Sequence, residues 1–255
     1  MLNSEYASLE RNEDVADHAP NIICHVHVYD MDSSLDEVFC DIDSPQRHFD
    51  LREVSTENTA QRRKIFELLS TVSLDREESP SYLVRVRCAD GRTSDRLIGQ
   101  SQIRIILRDV NDNGPVFQRN QYFGSVPENE VNTIVDFRES FSKFGADTKS
   151  IRPGAPLHIH ATDSDAGQNA MIIYSLANTL ENDSNKDSSS ELSEKPTRDA
   201  DFFYIDRLTG QLKTRVALDY EKRSVYSFLV IATDQPLDPT QALSSTAKVT
   251  VCVSL

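Results

Sequence analysis

Two halves of this sequence carry the same short motifs in the same order. Each half has a histidine-bearing segment that ends in spaced aspartates, then a Leu-Asp-x-Glu motif, then a short segment ending in aspartate. The matched pairs are HVHVYDMDS (25–33) with HIHATDSDA (158–166), LDRE (74–77) with LDYE (218–221), and CAD (88–90) with ATD (232–234). An internal repeat of this kind predicts two copies of one domain, which we place at 1–113 and 114–255.

Several segments in both halves alternate apolar and polar residues. In one of them Ile103, Ile105 and Leu107 share a face, which is typical of a strand with one side buried. The predicted strands are 22–30, 82–90, 101–109, 157–163, 225–234 and 247–255. No segment has sustained helical periodicity, although 59–69 could hold a helical turn. The sequence therefore predicts an all-β chain of two β-sandwiches, each of about a hundred residues.

Two polar stretches of the second half fall where loops should lie. Residues 137–153 precede its second strand, and residues 181–201 are rich in serine and acidic side chains. Because the second stretch is too polar to pack in a core, we predict a disordered loop there. It contains a glycosylation sequon at Asn182, which would be used if the protein is secreted.

The net charge of the chain argues against some classes of binding partner. The sequence has 41 Asp and Glu against 27 Lys and Arg, for a formal net charge of −14. Nucleic acid and anionic membrane surfaces require an excess of basic residues, so this balance argues against both and is compatible with cations. No apolar run approaches the roughly 18 residues of a membrane span, and residues 1–20 lack the apolar core of a signal peptide.

The densest group of oxygen ligands is the stretch RDVNDNGPVF, residues 108–117. Asp and Asn side chains compete for backbone hydrogen bonds, which favours a turn between the two predicted strands. Carboxylates gathered in such number repel one another unless a cation neutralises them. Calcium accepts Asp, Glu, Asn and backbone carbonyl oxygens in irregular geometry, whereas magnesium prefers more water and zinc prefers His or Cys. The predicted metal is therefore Ca²⁺.

The motifs resemble those of cadherin repeats. DVNDNGPVF (109–117) is similar to the cadherin linker pattern DxNDNxPxF, and VPENE (126–130) is similar to the cadherin first-strand motif. Residues 161–176 and 202–221 resemble two further cadherin segments, and the first half is similar to protocadherin repeats. The resemblance implies an elongated array of two seven-stranded Greek-key, immunoglobulin-like sandwiches.

The same resemblance implies a set of calcium ligands around the linker. Those of the linker are Asp109, Val110 through its carbonyl, Asn111, Asp112 and Asn113 through its carbonyl. Those of the flanking repeats are Asp75 and Glu77 upstream, and Asp163, Asp165, Asn169 through its carbonyl and Asp234 downstream. A glutamate of the first upstream strand should join them, and both Glu10 and Glu13 are candidates.

Two further groups of acidic residues resemble half-sites for neighbouring linkers. The predicted residues are Asp30, Asp32 and Asp90 at one end, and Glu128, Asp219 and Glu221 at the other. The segment 32–37 departs from the family pattern because it lacks the expected Gly and Asn. We therefore expect one complete calcium site and a chain that is a piece of a longer ectodomain, with its signal peptide and transmembrane segment elsewhere.

The function that the resemblance implies is calcium-dependent cell–cell adhesion on the extracellular side of the plasma membrane. Calcium would make the array rigid, and the partners would be other cadherin ectodomains in homophilic contact, with no nucleic acid or small-molecule substrate. The alternative is a heterophilic signalling or planar-polarity receptor ectodomain of a large cadherin. An enzyme is not expected, because the carboxylates recur at equivalent positions of both copies, which suits structural metal better than a hydrolase pair.

The cysteine and histidine residues allow several interpretations. The spacing of the four cysteines contains no CxxC pair; it permits a disulfide between Cys40 and Cys88 and equally permits free buried thiols. Cys24 and Cys252 belong to opposite copies and are expected to be core thiols. The pairs His25/His27 and His158/His160 have a spacing that could bind zinc, but no third ligand is evident, so an exposed strand face is the preferred interpretation.

Overall fold

The chain divides into two compact units, residues 1–110 and 111–255, in a computed structural model of the protein. The structure describes residues 6–13, 20–29, 38–43, 48–54, 63–90, 97–137, 158–178 and 198–255. No helix in these residues has the length and apolar character needed to cross a membrane.

The described residues of the upstream unit form a sandwich of seven strands in two sheets. Its strands are β1 (Tyr6–Asn12), β2 (Asn21–Tyr29), β3 (Val38–Asp43), β4 (Phe49–Val54), β5 (Arg63–Ser70), β6 (Ser81–Asp90) and β7 (Leu97–Arg108). One sheet has the order β1-β7-β6-β3, with β1 parallel to β7, and the other has the order β2-β5-β4. Alternation buries one face of β6 and of the second half of β7. Fully buried Leu68, Val84 and Ile105 pack in the core between the sheets.

The downstream unit repeats this arrangement. Its strands are β8 (Val116–Phe117), β9 (Gln121–Pro127), β10 (Ala161–Thr162), β11 (Ile173–Asn178), β12 (Phe203–Ile205), β13 (Leu212–Thr214), β14 (Val225–Thr233) and β15 (Ser244–Ser254). The main sheet has the order β11-β14-β15-β9, again with the first long strand parallel to the last, beside the pairs β12-β13 and β10-β8. Ile159, Phe203 and Phe228 are fully buried at its centre.

Three local predictions about secondary structure are wrong. The possible helical turn in 59–69 is strand β5 from residue 63 onward, because its backbone pairs with both β2 and β4. The strand predicted at 157–163 contains only Ala161 and Thr162 in ladder pairing. The predicted disordered loop at 181–201 ends in a short 3₁₀ helix, Asp199–Phe202, whose Asp199 Oδ2 accepts a hydrogen bond from Ser227 N at 2.8 Å.

Other parts of the two predicted loops fall outside the described residues. These are residues 138–153 and residues 181–197 with the sequon at Asn182. Phe137 is described and is a core residue, 4% exposed, so the predicted loop 137–153 does not begin until after it. Its ring packs edge-to-face on Tyr122, with the ring centroids 6.1 Å apart.

Cys40 and Cys88 form a disulfide, with Cα atoms 4.1 Å apart. They are directly opposite each other in the β3–β6 ladder, so the bond ties the edge strand β3 to the sheet. Cys24 and Cys252 are free thiols and are half-buried, so they lie at the margin of the core and not inside it as predicted. Burial raises the pKa of both thiols, which disfavours the reactive thiolate.

Candidate metal centre

The two upstream carboxylates Asp75 and Glu77 lie in a turn after β5. Asp75 Oδ1 accepts hydrogen bonds from Glu77 N at 2.8 Å and from Glu78 N at 3.1 Å, and Asp75 O accepts one from Ser79 N at 3.0 Å. Aspartate favours such a turn because its short side chain reaches backbone N–H groups two or three residues ahead. The LDRE motif is thereby held in a fixed bend beside the end of the sandwich.

Glu13 is the upstream glutamate that joins this turn. It follows β1, is 5% exposed, and accepts hydrogen bonds from Arg76 N and Val110 N, both at 2.8 Å. Glu10 is exposed and instead pairs with Arg108, whose guanidinium nitrogen lies 2.7 Å from Glu10 Oε2. The side-chain oxygens of Glu13, Asp75 and Glu77 lie within 4.8 Å of one another. Of the two predicted candidates, the geometry selects Glu13.

Sequence reasoning left Glu13 and Glu10 open because β1 lacks the PEN motif of β9. The equivalence is visible in the backbone: Glu13 N donates to Arg108 O at 3.2 Å, and Glu128 N donates to Ser254 O at 2.9 Å. Each glutamate therefore leaves its first strand at the end of the partner strand. The equivalence of Glu13 and Glu128 follows from the parallel register of the first strand with the last strand of each unit. The spacing of residues along the sequence does not show it.

Asp109 completes the upstream group, and Arg76 contacts it. Arg76 Nε lies 2.6 Å from Asp109 Oδ1, and the same guanidinium also contacts Glu77 Oε1. The three side chains are 16–19% exposed. The pKa of Glu77 is raised from 4.5 to about 7, first because burial penalises its charged form and second because the charge of Glu13 is close by.

The linker residue Asn113 contacts the downstream carboxylates. Asn113 N donates to both side-chain oxygens of Asp165 at 3.3 Å, and Asp165 N donates to Asp163 Oδ1 at 3.0 Å. Asp165 is only 7% exposed. Asn113 Nδ2 donates to Asp112 Oδ1 at 2.9 Å, while Asp112 itself is exposed. Asn169 lies in the following turn, 167–170, and is half-buried.

Asn111 is held against the buried carboxylate of Asp234. Asn111 Nδ2 donates to Asp234 Oδ2 at 3.0 Å and to Gln241 O at 2.9 Å, and Asp234 Oδ1 accepts from Leu243 N at 2.9 Å. These bonds orient the amide, so that Asn111 Oδ1 is buried, and no donor in the described part of the chain bonds it. A buried acceptor without a donor is costly, and a cation is one group that can satisfy it.

The residues present fit calcium. The upstream unit groups three carboxylates, and the downstream unit contains a fully buried carboxylate and an amide oxygen that accepts no hydrogen bond from the described residues. All are hard oxygen donors of mixed type, the set that calcium prefers. The described clusters that could hold a metal contain only carboxylates; His25, His27 and His158 are exposed, as predicted, and His160 is half-buried.

The predicted half-sites at the ends are described only in part. Asp30 and Asp32 lie outside the described residues, whereas Asp90 ends β6 and is half-buried. Downstream, Glu128 Oε2 accepts a hydrogen bond from Tyr220 N at 3.3 Å, which repeats the contact of Glu13 with the LDRE turn. Hydrogen bonds from Lys222 lower the pKa of Asp219.

Residues 150–254 match the family model of the cadherin domain. The solved cis-dimer structure of protocadherin gammaB7 (EC3-6) covers 96% of this chain with a TM-score of 0.70 and 24% identity. The chain belongs to the cadherin superfamily. The resemblance seen in the motifs and the predicted immunoglobulin-like sandwiches are thereby confirmed. Cadherin repeats are adhesion domains and not enzyme domains, so this cadherin chain consists of domains of the adhesion type.

Curated relatives of this cadherin chain are much longer. It is 31% identical over 175 residues to protein dachsous of Drosophila melanogaster, covering 67% of this chain and 4% of that protein. It is 28% identical over 186 residues to protocadherin-11 X-linked of Homo sapiens, covering 72% of this chain and 11% of that protein. Mouse cadherin-23 (EC22-24) has the same fold, with a TM-score of 0.67 and 21% identity over 98% of this chain and 63% of the solved chain.

Proposed function

We propose that this chain is a piece of a protocadherin-like ectodomain in which calcium at the linker makes two repeats rigid for homophilic cell–cell adhesion. The observation that carries the proposal is the convergence of Glu13, Asp75 and Glu77 within 4.8 Å. Three carboxylates so close together repel one another, and a divalent cation removes that repulsion. The proposed repeats are residues 1–113 and 114–255.

The linker residues have a defined part in this proposal. Asp109 and Val110 belong to the upstream unit and are tied to Arg76 and Glu13, whereas Asn111 and Asn113 are tied to Asp234 and Asp165. Bound calcium supplies positive charge that joins carboxylates of both repeats. Asn169 and Asp112 complete the proposed ligands. Without the cation, like charges separate the repeats and the linker bends.

The proposed setting follows from the family and the charge. Extracellular calcium modules bind with Kd values of roughly 10⁻⁴ to 10⁻³ M, so millimolar calcium outside cells would keep the linker stiff. The proposed partners are other cadherin ectodomains, in homophilic contact, at the extracellular side of the plasma membrane. The net charge of −14 makes calcium neutralisation favourable for close approach of two copies.

The test combines calcium titration with limited proteolysis. Trypsin sites at Arg108 and Arg119 flank the linker. We expect saturable heat of calcium binding in isothermal titration calorimetry, and cleavage at these sites that calcium slows and a chelator restores. Asp112→Ala should weaken both effects while the circular dichroism β signal is retained, because the variant removes a ligand and not a core residue.

The matched control is Asp41→Ala, which removes the same charge from an exposed position on β3. It should bind calcium and resist trypsin as the parent chain does. Absence of calcium-binding heat in the parent chain, or equal cleavage with and without calcium, would overturn the proposal.

A further inference from the structure

A half-buried arginine lies among the upstream carboxylates. Arg76 occupies the position between Asp75 and Glu77, and its side chain is only 16% exposed. Its Nε lies 2.6 Å from Asp109 Oδ1, and its guanidinium also contacts Glu77 Oε1. One permanent positive charge therefore contacts two carboxylates that belong to the proposed calcium ligands.

The downstream copy has the same turn without this arginine. Tyr220 stands at the equivalent position, and its backbone N donates to Glu128 as Arg76 N donates to Glu13. Among the described residues, the side-chain cation paired with the downstream turn is Lys222, which is 83% exposed and lies 2.9 Å from Asp219 Oδ2. The backbone hydrogen bond to the glutamate therefore does not require an arginine, and the guanidinium contacts are specific to the upstream copy.

The guanidinium and a calcium ion would act on the same oxygens. Arginine keeps its proton at every physiological pH, so its charge cannot be removed to make room for a second cation. A charge of +1 a few ångströms from a divalent ion repels it. The hydrogen bond from Arg76 to Glu77 Oε1 also occupies a lone pair that a metal would need. Where the ion is absent, the same charge offsets the mutual repulsion of the carboxylates.

We propose that Arg76 is a built-in counter-charge that stabilises the upstream carboxylates in the calcium-free chain and lowers their affinity for calcium. This inference rests on the proposed calcium site. It assigns Arg76 two effects of opposite sign: removing its charge destabilises the calcium-free chain and tightens calcium binding. If Arg76 merely supported the turn, its substitution would lower both the stability of the calcium-free chain and the affinity for calcium.

The experiment compares Arg76→Gln and Arg76→Tyr with the parent chain, the second variant reproducing the downstream sequence. Calcium affinity is measured by calorimetry in competition with a chelator, and the melting temperature is measured in excess chelator. We expect both variants to bind calcium about tenfold more tightly, from removal of one charge close to a divalent ion. We also expect a lower melting temperature in chelator and a larger gain of melting temperature on adding calcium.

Two further variants keep the test decisive. Arg85→Gln removes an exposed arginine of β6 and should change neither quantity by a comparable amount. Arg76→Lys keeps a charge and should leave affinity near that of the parent chain even if the turn is loosened. Unchanged or weaker calcium binding by Arg76→Gln, in a parent chain that does bind calcium, would overturn the role of Arg76 alone. A parent chain that binds no calcium would overturn the proposed function as well.

Discussion

The two copies have different residue pairs at one equivalent pair of facing positions in the sheet. In the upstream copy Cys40 on β3 and Cys88 on β6 form a disulfide. In the downstream copy, the CAD and ATD motifs place Ala232 opposite Tyr174 in the corresponding ladder, and both are buried. Tyr174 Oη accepts a hydrogen bond from Ala161 N at 2.9 Å. The covalent link thus joins the edge strand β3 to its own sheet, whereas the Tyr174 hydrogen bond joins the equivalent edge strand β11 to β10, which belongs to another sheet.

The largest effect is expected from removing the disulfide. Its cysteines are 48 residues apart, and a closed loop of that size stabilises a fold by about 4 kcal/mol through the unfolded chain. Cys40→Ala/Cys88→Ala should therefore destabilise the upstream unit by about that amount. Hydrogen exchange by mass spectrometry, resolved by peptide, measures each unit separately. Equal loss of protection in downstream peptides would contradict the assignment of the bond to one copy.

The next effect concerns the two candidate glutamates of the first strand. Glu13→Ala leaves the N–H groups of Arg76 and Val110 without their acceptor, which should cost about 2–4 kcal/mol. Glu10→Ala removes only an exposed ion pair with Arg108, for which about 0–1 kcal/mol is expected. Urea unfolding followed by circular dichroism measures the difference, and calorimetry should show weaker calcium binding for Glu13→Ala only. Similar results for the two variants would remove Glu13 from the site.

A smaller effect is expected at a turn described only in the downstream copy. Gly210 has φ +70°, and a Cβ added there would lie 2.5 Å from Ile159 O. Gly210→Ala should destabilise the downstream unit by about 2 kcal/mol, since an L-residue in this region is strained and the backbone contact must relax. Gly167→Ala is the matched control: its φ is +61°, but its added Cβ would meet nothing within 4 Å. Equal costs would show that the close contact contributes little.

The smallest effect is a pH dependence of the calcium-free upstream turn. The pKa of Glu77 in the folded chain is about 7, above its reference value of 4.5. Between these two pH values the folded state therefore keeps a proton that the unfolded state releases. Stability from this group is therefore greatest below about pH 4.5 and is lost as pH rises through about 7. In chelator, the melting temperature of the parent chain should rise when the pH is lowered from 7.5 to 5.5, and Glu77→Gln should make that rise smaller. Glu221→Gln is the downstream comparison, and a parent-like profile for Glu77→Gln would disprove this origin.

The sequence predicted most of the long strands but few of the short ones. Segments 82–90 and 225–234 alternate strictly, since each has one buried face, and both are strands. The strand β5 was missed in part because Phe66, Leu68 and Leu69 are all buried, which removes the period of two. The 3₁₀ helix at Asp199–Phe202 was missed because its stabilising contact is with β14, which is distant in sequence.

The sequence by itself determined the family, the all-β class, the repetition and the acidic residues of the linker, because strand alternation and turn chemistry are local properties. Only the tertiary structure selected Glu13 over Glu10, since that choice depends on the parallel register of β1 with β7. It also decided that Cys40 pairs with Cys88 and that Arg76 contacts Asp109. These contacts join residues distant along the chain, and their geometry exists only once the sheets have packed.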